Sequence, residues 1–188
     1  MSMDTKEPAQ KASTPRNKSG AFVDYIISRC QASKGVRAAL KRADNPATEY
    51  QSWEILAGFH IDLEYENQRL PHAMIAAAIA RAETRQNGAM RIGQAIARCY
   101  EEGNDSDQAK ARLRRLLACD SVQETCRILR PLLSLIESRS SLVLDYAGLL
   151  WDVLRFDHDQ SQQRIKARWA QDFYGKPIEI ETEGGRHE

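Results

Sequence analysis

Residues 71–85 read PHAMIAAAIARAETR, a run dominated by alanine, the strongest helix former. A proline suits the first position of a helix, where its missing N–H would have no partner anyway. The stretch therefore predicts a helix over 72–85 opened by Pro71, preceded by a loop around Glu66–Arg69 and ended by Gln86, Asn87 and Gly88. Arg81 and Arg85, one turn apart, are expected on its outer face.

Upstream of this run the same 3.6-residue period recurs. Trp53, Leu56, Ala57 and His60 lie at helical spacing in a segment that begins near Thr48. Before it, a helix is predicted from about Gly35 to Arg42: Val36, Ala39 and Leu40 turn inward, while Lys34, Arg37 and Lys41 share another face. Asn45 and Pro46 stop it, because the residue before a proline is pushed out of the helical region. A first helix starts near Ala21 and carries Phe22, Tyr25, Ile26 and Cys30. Residues 1–20 are polar and aperiodic, and are expected to remain a disordered tail outside the fold.

Downstream, Arg91–Tyr100 predicts a short helix with Ile92, Ala95, Ile96 and Cys99 inward, and Glu101–Asp107 reads as a linker. Gln108–Cys119 follows, then Val122–Ser138, which Pro131 is expected to kink or break. Asp145 is placed to cap the next helix, and the run Asp157, His158, Asp159 to cap the last, whose stripe is Ile165, Trp169 and Phe173. Pro177–Ile180 alternates as a short extended segment would, inside an otherwise polar end. Nowhere does the two-residue period and turn chemistry of a sheet repeat. The expectation is an all-α fold of two small packed helical bundles, 21–104 and 107–175, between disordered tails at 1–20 and 176–188.

Composition narrows the function. Of 188 residues, 42% are hydrophobic and 28% charged, ordinary for a chain that buries a core. No apolar stretch approaches a membrane span and the first residues lack the apolar centre of a signal peptide, so a cytoplasmic protein is expected. Cys30, Cys99, Cys119 and Cys126 have neither zinc-site spacing nor disulfide density, and read as buried free thiols. His60, Asp62 and Glu64 could gather on a metal only from an extended segment, since alternate helical positions diverge. With no phosphate loop, nucleophile elbow or HExxH pattern, neither catalysis nor a metal or cofactor is expected.

The net charge of +1 conceals an uneven distribution. Lys34, Arg37, Lys41 and Arg42 cluster; Asp44–Glu66 then holds acids and no lysine or arginine; Arg69, Arg81, Arg85, Arg91 and Arg98 follow. Guanidiniums every three or four residues on a helix can meet successive phosphates, although the same pattern also solubilises an ordinary bundle. Spacing leaves both readings open.

Several motifs carry more. RLRRLL at 112–117, Asp120-Ser121, Leu144-Asp145-Tyr146 with Leu149, Leu150, Trp151 and Asp152, and RWAQDFY at 168–174 together resemble the CasB family, the small subunit of the type I-E CRISPR surveillance complex, Cascade. RAALKR at 37–42 and IGQAIA at 92–97 fit as well, so the resemblance spans about Ala21 to Tyr174. It implies an all-helical, non-catalytic subunit that pairs with a second copy of itself. Its partners would be the backbone and large subunits, the crRNA, and target DNA including the displaced strand. The resemblance carries Lys41, Arg42, Arg112 and Arg130 over as nucleic-acid contacts; Arg37, Arg85, Arg91, Arg115 and Arg127 join them on charge and spacing. The chain departs from the family pattern in its N-terminal extension, in Asp44–Arg69, and at Leu129-Arg130-Pro131, where the family often has two arginines. The competing expectation is a helical adaptor whose charged faces serve protein contacts alone.

Overall fold

Phe22, Val23, Ile26, Ile27 and Cys30 recur at helical spacing and all are buried, so the first described element is a helix, α1 (Pro15–Ala32), with one stripe in the core. The computed structural model describes residues 15–141 and 143–175. The expected tail over 1–20 is corrected at its inner end: residues 15–20 are helical. Ser19, 2% exposed, lies one turn before Phe22 and Val23 on the buried stripe, a position that a small polar side chain does not announce. Residues 1–14 of that tail and the expected C-terminal tail 176–188, with its extended segment, lie outside the described residues.

Ser33 separates α1 from α2 (Lys34–Leu40), its Oγ accepting from the Val36 N–H at 3.3 Å as an N-cap. The next helical segment is shorter than its periodicity suggests. A 3-10 turn at Glu49–Ser52 leads into α3 (Trp53–Gly58), which buries Ile55 and Leu56 and leaves Trp53 exposed. Asp62 caps the turn that follows, accepting from the N–H groups of Glu64 at 3.0 Å and Tyr65 at 3.3 Å.

The alanine run lies within α4 (Glu66–Ala82), which starts a turn earlier than predicted, so Pro71 sits inside the helix and the loop expected around Glu66–Arg69 is helical. Arg69 holds that first turn, donating to the Leu63 carbonyl at 2.6 Å. Every residue from Pro71 to Ala80 is buried. A helix apolar on all sides must be enclosed by others, and α4 packs on α1, on α7 (Val122–Arg139) and on α8 (Tyr146–Leu154). The remaining helices are α5 (Ile92–Arg98), α6 (Asp107–Leu117) and α9 (Asp159–Tyr174), with a 3-10 turn at Gly103–Asp105 between α5 and α6. Alpha-helical structure with no named strand among the described residues makes the fold all-α. Early and late helices interleave: α1 lies on α8 and α5 on α9. Among the described residues no helix is long and apolar enough to cross a membrane.

Pro131 does not break α7, which runs through it to Arg139. The polar run before α9 also differs from expectation. Asp157 caps α7 from a distance, Oδ1 accepting from the Val122 N–H at 3.0 Å, and its other oxygen accepts from the Asn67 side chain. Asp145 does cap α8, accepting from the Gly148 N–H at 2.9 Å. At the far end, Asp152 is buried in α8 and accepts from Trp169 Nε1 at 2.9 Å and from Arg168, while the Trp169 ring stacks on Phe156. Burial pushes the Asp152 carboxyl above its usual range against the pull of Arg168.

Two chain crossings depend on glycine. The Asn87–Met90 loop runs beside Val143–Asp145, with Gly88 N–H donating to the Leu144 carbonyl at 3.0 Å and Asp145 N–H to the Met90 carbonyl at 2.8 Å. A Cβ on Gly88 would sit 1.8 Å from the Val143 carbonyl oxygen, and one on Gly93 in α5 would sit 2.2 Å from the Trp169 carbonyl oxygen of α9. Gly88→Ala must therefore push two backbones apart. We expect a loss of about 3 kcal/mol, read by calorimetry as a melting temperature lower by roughly 6–12 °C.

Candidate nucleic-acid interface

The seven residues of α2 expose one basic edge because Leu40, fully buried, fixes the opposite edge against the core. That edge meets the end of α4. Glu83, the C-cap of α4, takes a left-handed conformation (φ 51°), and its carboxylate accepts from Lys41 Nζ at 2.9 Å and Arg37 Nη1 at 3.4 Å. The hydrogen bond from Lys41, then the charges of Arg37 and Lys41, hold Glu83 below its ordinary pKa. Arg85 is exposed two residues further on, and Arg42 is exposed just past the end of α2.

Arg81, expected on the outer face of α4, turns inward instead. Its Nη1 donates to Asp44 Oδ2 at 3.0 Å and to the Lys41 carbonyl at 3.4 Å, and its Nε donates to Glu137 Oε2 of α7 at 3.4 Å. Two carboxylates from segments far apart in sequence draw it in, a pull that helical spacing alone does not encode. Asp44, whose side chain is only 6% exposed, also holds Arg130 of α7 at 3.6 Å. Leu129 is wholly buried, so of the Leu129-Arg130 pair only Arg130 reaches the surface. Arg127, one turn earlier, is 75% exposed and pairs with Glu124 at 3.6 Å. The junction of α2, the end of α4 and α7 thus gathers Arg37, Lys41, Arg127 and Arg130.

The other predicted residues stand elsewhere. Arg112 of α6 donates from Nε to the Tyr100 hydroxyl at 2.5 Å, and Arg115, on the next turn, is exposed. Arg139, which spacing had not singled out, lies 5.4 Å over the Tyr100 ring and donates to the Cys99 carbonyl at 3.1 Å. Arg91 pairs with Asp172 of α9 at 3.0 Å. Arg91 and Arg112 are thus engaged by Asp172 of α9 and by Tyr100, neither of which belongs to the α2–α4–α7 junction.

Other chemistry is sparse in this geometry. The four cysteines are buried and free, and desolvation raises each thiol, Cys126 to about 12. His72, buried in α4, is lowered to about 4 by desolvation against its bond to the Gln68 carbonyl, so it is neutral near pH 7. Among the described residues no group of His, Cys, Asp and Glu is arranged to hold a metal ion; Asp62 is occupied as a turn cap.

The family model for the CRISPR-associated protein Cse2 matches residues 36–174, from α2 through the final turn of α9. The chain belongs to the Cse2 family. Solved CasB structures share its fold: CasB from Thermus thermophilus is 22% identical, with 87% of this chain and 100% of that one covered and a TM-score of 0.66. CasB from M. ruber is 24% identical over 84% of this chain and 92% of that one, with a TM-score of 0.65. A chain of a CRISPR RNA-guided surveillance complex is 21% identical over 84% and 91%, with a TM-score of 0.63. The resemblance to CasB read from the motifs is therefore correct. No curated protein matches the chain.

The junction of this Cse2-family protein has its own acid–base signature. Burial lifts Glu137 to about 7, above its ordinary 4.5, even with Arg81 beside it. A folded-state pKa above the unfolded one means proton uptake on folding: the stabilising contribution is complete below pH 4.5 and is lost as pH rises through 7. Glu137→Gln removes this loss. Its melting temperature relative to wild type should climb between pH 4.5 and 7 and level off above, as measured by thermal denaturation across a pH series.

Proposed function

We propose that this protein is the small subunit of a type I-E CRISPR surveillance complex and binds nucleic acid through its basic helix faces without catalysing a reaction. The observation that carries this reading is the junction of α2, α4 and α7, where Lys41 at the end of α2 and Arg127 and Arg130 of α7 present cations from two segments, within a fold shared with a chain of an RNA-guided surveillance complex. Guanidinium and ammonium groups meet phosphates whatever the base, so the contact is tolerant of sequence; base pairing with the guide reads the target. The partners in this reading are the crRNA, the target DNA with its displaced strand, the backbone and large subunits, and a second copy of the chain. The subunit stabilises the R-loop by holding both the guide-paired region and the displaced strand. Cleavage falls to a recruited helicase-nuclease. Arg37 belongs to the junction with Lys41, Arg127 and Arg130, and Arg42, Arg85, Arg91, Arg112 and Arg115 extend the contact surface beyond it.

A protein-only adaptor is the second reading, and the ion pairs favour it: Glu83 engages Arg37 and Lys41, and Asp172 engages Arg91. A phosphate must displace or share these carboxylates, which are exposed and screened by salt at Glu83.

Fluorescence anisotropy with a labelled single strand across a salt series separates the two. Wild type should lose affinity steeply as salt rises, and a combined Lys41→Ala, Arg112→Ala, Arg130→Ala variant should bind more weakly. Its log–log salt slope should be shallower by about 2, from roughly 0.7 per phosphate contact removed. Equal binding by both proteins, or none by either at low salt, favours the adaptor.

A further inference from the structure

Between the turn after α2 and the facing sides of α4 and α7 runs a groove of about 560 Å³. Its base is apolar: Ala73 and Met74 are buried, and Leu70 lies partly buried beside them. Pro46 and Pro131 form exposed walls. A surface meant only for phosphates has no use for such a floor, because phosphates stay hydrated and seek cations.

Charge around the groove is sorted by depth. Its acids are withdrawn: the Asp44 side chain is 6% exposed and bound to Arg81 and Arg130, and that of Glu49 is 17% exposed beside Arg69. Its arginines reach out, Arg130 at 43% and Arg127 at 75%. An approaching molecule therefore meets cations first and apolar surface behind them. Pro131 adds apolar surface to the α7 side of the groove, its ring exposed beside Arg127 and Arg130.

We propose that this groove seats an unstacked base of single-stranded nucleic acid against its apolar floor, with the flanking phosphates on Arg127 and Arg130. The inference rests on the nucleic-acid reading above and specifies what part of the strand is held. A displaced strand is the form of DNA whose bases are free to enter such a site. Because every base has a flat face, the groove is expected to accept any of them, with a cost for strands lacking bases.

The test compares a labelled single strand of mixed sequence with an abasic strand of equal length and backbone charge, both bound to the full chain. The base-bearing strand should bind tighter by about fivefold or more. Ser134, exposed on the groove wall, allows the site to be filled from outside the core: Ser134→Leu should bring the mixed-sequence strand down to the affinity of the abasic one, leaving abasic binding and melting temperature unchanged. Salt-sensitive binding that is equal for both strands would overturn the base site and leave the phosphate contact standing. A preference for bases that survives Ser134→Leu would overturn the location. If neither strand binds, both readings fall together. If strands bind alike and Ser134→Leu instead weakens assembly with neighbouring subunits, the occupant is a protein segment and the proposal is wrong.

Discussion

From Pro71 to Ala80 every residue of α4 is buried, and this enclosure determines where the surrounding helices go. Alanine and isoleucine offer no polar group that would need water, and the short alanine side chains let α1, α7 and α8 lie close against the axis. Enclosure also explains the fate of Arg81. It follows directly on the buried run, at a depth where an unpaired guanidinium would be costly, so the fold supplies Asp44 from the turn after α2 and Glu137 from α7. The pairing is tight but incomplete: Arg81 Nη2 and Glu137 Oε1 are buried with no hydrogen-bond partner. That deficit is part of why Glu137 holds its proton so readily.

The same ion network registers the basic surface. Asp44 is shared between Arg81, which is fixed to α4, and Arg130, which faces outward on α7. Arg81 also bonds the carbonyl of Lys41, so the last residue of the basic edge is tied by its backbone to the core while its side chain reaches Glu83. Arg130 and the backbone of Lys41 are thereby placed by contacts with the buried Asp44–Arg81 pair. Preorganisation of this kind reduces the entropy lost when a polyanion is bound.

Much of this architecture was legible in the sequence. The alanine run, the Ile165, Trp169, Phe173 stripe and the Asp145 cap each follow from residues close together in the chain, and each stands in the structure. What was not legible depends on distant partners. Asp157 was read as a cap for the helix beside it, yet its donor is Val122. Pro71 suggested a boundary, but the turn before it is held by Arg69 on Leu63. For the basic residues, spacing put Arg81 and Arg85 together on the outer face of one helix, but Arg85 lies past its end; spacing could not give Glu83 in its left-handed turn or the carboxylates that pull Arg81 inward, and it passed over Arg139 on the Tyr100 ring.

The interleaving of early and late helices has a bearing on how the protein is made. As the chain leaves the ribosome, Phe22 soon meets Phe59 and His72, but the side of α1 that packs on α8 emerges long before α8 exists to cover it, and α5 waits in the same way for α9. Neither end of the molecule can bury its apolar stripe alone, so native contacts of long sequence separation must form late and together. Until Trp169 and Phe173 are synthesised, the nascent chain offers chaperones and proteases an apolar surface that the finished protein conceals. A chain cut short before α9 would therefore keep the α5 face that meets Trp169 and Phe173 open to water, with nothing later in the sequence to close it.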